Sequence, residues 1–273
     1  MNKLYIGDNV KVLKEYVGDE VIDLTVTSPP YDDLRTYNGF EWDIDGVIEQ
    51  LWRVTKQGGV VVWVVGDKTH NGSETGTSFR TALKFLDAGW RLHDTMIYEK
   101  NTSSFPARRD GKRYTQIFEY MFVFSKGKIK TGNLICDKPN RWAGSKNWGK
   151  NTARGKDGEL KDLGDIKTVP QFSPRNNIWH YVVGGGFASQ DKIAHNHPAI
   201  FPEKLAEDHI ISWSNEGDTI LDIFGGSGTT AKMAALNNRR FIHIDISEEY
   251  VKKVASVRLE HHDIKHEIKE AEK

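Results

Sequence analysis

The chain has one cysteine, few prolines, no excess charge of either sign and no long apolar run. The single thiol, Cys136, excludes an internal disulfide, and so sparing a use of cysteine fits a reducing, cytoplasmic setting. Lys and Arg number 38, equal to Asp and Glu, so global charge makes no case for a nucleic-acid partner. The longest apolar stretch, Val60 to Val65, is far too short to span a bilayer, and no signal-peptide core stands near the N-terminus. No membrane partner is expected. The sequence contains no internal repeat. At 273 residues it can form one large α/β domain with an insertion and bury a sizeable core.

Of eight prolines, two stand together in Thr27-Ser28-Pro29-Pro30-Tyr31, directly after the apolar run Val21-Ile22-Asp23-Leu24-Thr25-Val26. The run reads as a buried strand. Neither proline has an N–H for the ladder, so the strand must stop there. Both also hold the backbone extended. The product is a stiff loop at the carboxyl end of a strand, with one hydroxyl, unused carbonyls and one aromatic face. It suits a flat ring bearing an exocyclic amine. An ordinary Pro-Pro turn is the plainer alternative.

A second loop changes the balance. Thr219-Ile220-Leu221-Asp222-Ile223-Phe224 is a strand pattern that runs into Gly225-Gly226-Ser227-Gly228-Thr229-Thr230 and then the helical Ala231–Leu236. Strand, glycine turn and helix open a nucleotide-binding βαβ unit. About twenty residues on, the strand Phe241-Ile242-His243-Ile244-Asp245 ends in a carboxylate placed for ribose hydroxyls. A P-loop needs Lys before the Thr pair, where Gly228 stands. Asp222 would repel a pyrophosphate. It fits a cationic, phosphate-free ligand such as S-adenosylmethionine, with its sulfonium, ammonium and free ribose.

These residues resemble the β class of DNA amino-methyltransferases, in which the catalytic loop precedes the cofactor loop. Ser28-Pro29-Pro30-Tyr31 matches the catalytic motif in its serine form, and Phe224 to Thr230 matches the cofactor loop. Gly225 departs from the pattern, since many members carry another residue there. His197 to Leu205 resembles the segment lying along the methionine end of the cofactor, and Tyr5-Ile6-Gly7-Asp8 the opening strand whose acid lies near the adenine. Leu51 to Gly59 resembles the helix-to-strand passage, and Phe118 to Gly127 the strand backing the target pocket. The resemblance implies catalytic residues Ser28, Pro29, Pro30 and Tyr31. It implies S-adenosylmethionine held by Asp8, Thr27, Lys204, Leu205, Asp222, Phe224, Gly225, Gly226, Ser227, Gly228, Thr229 and Asp245. It also implies double-stranded DNA as substrate, with a homodimer and a cognate restriction endonuclease as further partners. The expected fold is a Rossmann-like, S-adenosylmethionine-dependent methyltransferase fold of the α/β class. Its sheet is mostly parallel with an antiparallel edge, its motif order is circularly permuted, and a target-recognition insertion is added.

Local charge supports the DNA reading where global charge does not. From Lys126 to Lys156 nine Lys and Arg face one acid, Asp137, a local net of +8, with Trp142 and Trp148 among them. Basic residues interleaved with aromatics suit phosphates and base edges. A solvated loop is the alternative. Arg141, Trp142, Lys146, Trp148 and Lys150 are the DNA candidates here. Arg108, Arg109, Lys112 and Arg113 form a second cluster that reads equally as phosphate contact or solvated loop. The expected division is 1–126 and 196–273 for catalysis and cofactor, and 127–195 for target recognition. Methylation at carbon 5 of cytosine needs, in that family, a Cys directly after Pro; Cys136 follows Ile135, which argues against it.

Strands are expected at 3–6, 21–27, 60–65, 91–99 and 117–124, the last two as an antiparallel pair at the sheet edge. Helices are expected near 9–17, 45–56 (stopped by Gly58-Gly59), 78–88 and 202–213, with a last one capped by Ser247. Asp32 to Trp42 reads as a mobile loop over the site. His195-Asn196-His197 and the pair His262 and His266, read on a helix, are not expected to hold metal. Trp52, Trp63 and Trp90 read as core, and Trp179 as core or a wall of the site.

The implied reaction is methyl transfer to an exocyclic amine of a flipped-out base. In the family the serine motif usually accompanies cytosine N4 methylation, and the acidic or amide forms adenine N6. Cytosine N4 is therefore favoured, with adenine N6 as the alternative. A decayed, non-catalytic DNA-binding fold is the alternative of a different class; the intact loops argue against it.

Overall fold

A computed structural model describes residues 2–30, 43–102, 112–146, 151–164, 167–184 and 186–271. Tyr31, the loop 32–42, Arg108, Arg109, Trp148 and Lys150 lie outside the described residues. Two compact units are present, Leu134–Asn176 and the remainder.

The larger unit opens with β1 (Lys3–Ile6), α1 (Asn9–Tyr16), β2 (Ile22–Thr27), α2 (Ile44–Val54) and β3 (Thr55–Val65). A two-strand hairpin of β4 (Thr69–His70) and β5 (Ser73–Glu74) leads into α3 (Thr77–Asp87), β6 (Arg91–Lys100) and β7 (Phe118–Ser125). The smaller unit holds short strands β8 (Lys138–Pro139), β9 (Thr152–Arg154), β10 (Leu160–Asp162) and β11 (Phe172–Ser173), paired β8 with β11 and β9 with β10. The chain returns through β12 (Ile178–Tyr181), α4 (Glu203–Trp213), β13 (Thr219–Asp222), α5 (Thr229–Leu236) and β14 (Arg240–Asp245). A π-helical turn (Tyr250–Ala255), α6 (Ser256–Glu260) and β15 (Glu267–Glu270) follow.

Among the described residues, nine strands form one sheet in the order β12-β6-β7-β3-β2-β13-β14-β1-β15. All neighbours are parallel except β7, which runs antiparallel to both β6 and β3. The alternation of β3 shows how the sheet is buried on both sides. Val60, Val62 and Val64 face one core with Leu205, Ile210 and Trp213 of α4. Val61, Trp63 and Val65 face the other, with Val12 and Leu13 of α1, Leu51 of α2 and Phe85 of α3. The order reverses between β2 and β13, whose carboxyl ends therefore share a crevice.

Several sequence expectations change. Helix α2 ends at Val54, not at the glycine pair. The Thr55 N–H closes on Leu51 and the chain turns extended at once. Gly58 (φ +78) and Gly59 sit inside β3; a Cβ on Gly58 would press on Lys130 and one on Gly59 on Thr55 and the Asp23 carbonyl, and Gly58 admits the 126–130 segment, its N–H bonded to Lys126 O at 2.7 Å. The β6–β7 pair is antiparallel as expected but not at the edge, because β12 lies outside β6. Residues 177–195, read with the recognition region, fall in the larger unit. The final helix stops at Glu260. His262 and His266 lie beyond it, and the polar segment after them forms β15 against β1. The π turn buries Val251, Val254 and Ala255, with Leu259 of α6 on the same face. Trp63, Trp90 and Trp179 are buried, Trp179 with its ring 4.7 Å from His209. Trp52 packs edge-on against Trp90.

Candidate active site

The crevice is built by two loops. The first follows β2. Thr27 is fully buried, Pro29 is buried, and Ser28 and Pro30 are partly exposed. The second follows β13. Thr27 Oγ1 donates to Asp222 Oδ1 at 2.7 Å, and the Phe224 N–H donates to the same oxygen at 3.2 Å. Burial pushes the Asp222 carboxyl up to about 6, against the pull of Thr27, Thr230 and the Phe224 N–H.

The glycine loop is a folded turn. Gly228 N–H bonds the Gly225 carbonyl at 2.8 Å, and Gly225 N–H reaches Ile244 O at 2.9 Å. Gly226 (φ +49) and Gly228 (φ +78) take left-handed conformations that disfavour a side chain. Gly228 then caps α5. Asp245, at the end of the next strand, accepts from Gly226 N–H and from Ser247 N–H, each at 2.8 Å. Burial raises its carboxyl above the usual range, opposed by these two donors. Asp8 accepts from Lys11 N–H at 2.9 Å and caps α1, and Gly7 N–H bonds the Asp245 carbonyl at 3.0 Å.

Gly225, the departure from the family pattern, has a structural reason. A Cβ there would lie 2.1 Å from the ring of His243, which rises from β14 beneath the loop. His243 is fully buried, and neither ring nitrogen has a hydrogen-bond partner among the described residues. Burial, then the fields of His197 and His266, push its pKa down to about 3, so it is neutral. His197 closes the other side: a Cβ on Gly226 would lie 2.8 Å from its Nε2, and its ring meets Tyr250 edge-on at 4.5 Å.

Other candidates are placed differently. The Ser227 and Thr229 hydroxyls are buried and bond to Arg258 under the loop. Lys204 is exposed and pairs with Glu207 and Asp208 of its own helix, while Leu205 is fully buried in the core. Arg113 bonds the Gly72 carbonyl and pairs with Glu74 in the β4–β5 hairpin. In the smaller unit Arg141, Trp142 and Lys146 are exposed. Trp142 is 67 % exposed and carries the Arg141 guanidinium 5.3 Å from its ring centre. Among the described residues no His, Cys, Asp and Glu cluster could hold a metal, and no helix is long and apolar enough to cross a membrane.

The residues missed by sequence reading are Arg258, Asp191, Glu203, Lys232 and His243. Only Arg258, a charge on the buried stripe of a helix, carried any sequence signal.

The residues fit S-adenosylmethionine. The glycine turn leaves room for close approach. Among the described residues, the two strand-end carboxylates, Asp222 and Asp245, accept bonds only from hydroxyls and backbone N–H groups, so the crevice repels phosphate and favours a cation. Fold and crevice together define a Rossmann-like methyltransferase dependent on S-adenosylmethionine. Comparison makes this specific. Residues 22–256 match the DNA methylase family model that groups N6 and N4 methyltransferases, and the chain belongs to that family. It is 58 % identical over 254 residues to the orphan methyltransferase M.BamHII of Bacillus amyloliquefaciens, covering 93 % of this chain and 94 % of the relative. Its fold matches the cytosine-N4-specific PvuII DNA methyltransferase with a TM-score of 0.67 and 22 % identity, covering 92 % of this chain and 84 % of that one. It also matches a Thermus thermophilus protein assigned as a DNA modification methylase and solved with S-adenosyl-L-methionine, with a TM-score of 0.65 and 22 % identity over the whole of both chains. The protein is therefore a DNA methyltransferase that uses S-adenosylmethionine.

Proposed function

We propose that the protein methylates the N4 amine of cytosine in double-stranded DNA. The carrying observation is the pairing of β2 with β13, which sets Ser28-Pro29-Pro30 beside the glycine loop. When bound, S-adenosylmethionine supplies an electrophilic methyl on a sulfonium. Asp8, Asp222, Asp245 and the backbone of Phe224 to Thr229 hold it, with Thr27, Lys204 and Leu205 supporting that wall.

The amine of cytosine is a poor nucleophile because its lone pair delocalises into the ring. The Ser28 hydroxyl and the Pro29 carbonyl accept its two hydrogens. That hydrogen bonding favours a pyramidal nitrogen with a directed lone pair, and alignment supplies much of the rate. Tyr31 stacks on the base, which leaves the duplex at a cost of roughly a few kcal/mol. Target recognition falls to the part of 127–195 that forms the smaller unit, Leu134–Asn176. Arg141, Trp142, Lys146, Trp148 and Lys150 meet the duplex there, with Arg108, Arg109 and Arg113 supplying further phosphate contacts. The likeness to an orphan methyltransferase favours an enzyme that acts without a cognate endonuclease.

The test is incubation with radiolabelled S-adenosylmethionine and mixed-sequence DNA, followed by digestion and identification of the modified nucleoside. N4-methylcytosine is expected. N6-methyladenine would reassign the base, and unmodified DNA would overturn the reading.

A further inference from the structure

Beneath the glycine loop lies a buried ion network. Arg258 is fully buried and Lys232 nearly so. Arg258 Nε donates to Asp191 Oδ2 at 2.8 Å, and its Nη2 bonds Ser189 Oγ and Glu203 Oε1. Lys232 Nζ bridges the same two carboxylates at 2.8 and 2.9 Å, and His262 Nε2 lies 3.0 Å from Asp191 Oδ1. Burial alone would raise the Asp191 and Glu203 carboxyls. Lys232, Arg258 and their hydroxyl and imidazole partners hold both below the usual range, so both are ionised. The remaining nitrogen, Nη1, donates to the Ser227 carbonyl at 3.0 Å and the Thr229 hydroxyl at 3.0 Å.

A buried ion cluster is weak evidence of stability, since apolar packing of equal volume often does as well or better. What this one does is join four separate segments at one point. They are Ser189 and Asp191, the first turn of α4, the first turn of α5 with its loop, and α6. Arg258 is the member of the cluster whose side chain bonds the glycine loop itself. Its planar fork can satisfy carboxylates on one side and the loop on the other; a lysine cannot.

We propose that Arg258 is a positioning residue for the S-adenosylmethionine site, setting the backbone of Ser227 to Thr229 for the ligand. The proposal rests on the reading that the ligand binds this loop. It is tested by measuring the Kd for S-adenosylmethionine by calorimetry, with the melting temperature of each ligand-free variant. Arg258→Lys keeps the charge and loses the reach to the loop, and is expected to weaken binding by roughly tenfold, the size of one lost charge-assisted hydrogen bond. The KM for DNA should move much less. Ser189→Ala removes one support of Arg258, together with its bonds to Glu203 and the Asp191 N–H, without altering charge; it should lower the melting temperature modestly while staying folded, and weaken binding in the same direction. Gly226→Ala controls for the reading beneath. Unchanged binding in Gly226→Ala shows that the ligand lies elsewhere. Weakened binding in Gly226→Ala with native Kd in a folded Arg258→Lys overturns the proposal. If Arg258→Lys does not fold, Ser189→Ala decides: a native Kd there overturns it.

Discussion

Thr27 and Asp222, 195 positions apart, share a 2.7 Å hydrogen bond at the point where the sheet reverses its order. One belongs to the proline loop's strand and the other to the glycine loop's strand. The contact joins the two halves of the crevice and buries a carboxyl whose pKa is pushed up to about 6.

That carboxyl should make ligand binding depend on pH. Below about 6 Asp222 is protonated in the free protein, and a cationic ligand gains little from it. Affinity for S-adenosylmethionine should therefore rise as pH increases from 5 to 7, and the rise should vanish in Asp222→Asn. Stability moves the other way. The unfolded chain loses this proton near 3.8 and the folded one near 6, so this group's contribution to stability falls across that interval and changes no further above it. The Asn variant should escape that loss, which is at most about 3 kcal/mol. Calorimetric titrations and urea melts at several pH values check both signs.

Asp245 holds the loop through Gly226 and the next turn through Ser247. Asp245→Ala leaves both N–H groups without acceptors and should cost roughly 1–3 kcal/mol of stability. Binding of S-adenosylmethionine should weaken first, ahead of turnover at saturating ligand. Tyr31→Ala should do the reverse, lowering turnover with near-native ligand affinity. Equal loss of affinity in both variants would refute this division of labour.

Gly225 and His243 compete for one space. Gly225→Ala should destabilise by roughly 2–3 kcal/mol or more through overpacking, because its Cβ would lie 2.1 Å from the ring. His243→Ala opens that space, so the double variant should be more stable than the sum of the single effects. Denaturant midpoints of the four proteins give the coupling; simple additivity would show that the loop yields instead.

Trp142 is 67 % exposed and adds little to the folding of its unit. Trp142→Ala should leave the melting temperature unchanged and weaken duplex binding by roughly 1–3 kcal/mol if the ring stacks on a base. Arg141→Ala should instead reduce the salt dependence of binding. Fluorescence anisotropy over a salt series separates the two.

Much of this was legible in the chain because its signals are local. Gly226, Gly228 and Pro29-Pro30 dictate their own backbone. Strand β15 was missed because Glu267–Glu270 is mostly exposed and polar, which reads as a helix surface. Strand β12 was missed because its four residues alternate within an irregular stretch. Arg258 gave no motif, since its partners stand 29 to 69 positions away. His243 looked like one more residue of a buried strand, and only the ring's position against Gly225 reveals the constraint.

The late arrival of β13 shapes how the protein must be made. Strand β2 is synthesised early, and its partner follows after a separation of 195 residues, about 10–40 s at roughly 5–20 residues per second on the ribosome. Throughout that interval the nascent apolar strand Ile22–Thr27 has one flank open to any extended chain. Shielding by a chaperone in that window should govern yield, and chains released before residue 219 should aggregate rather than persist as partly working enzyme.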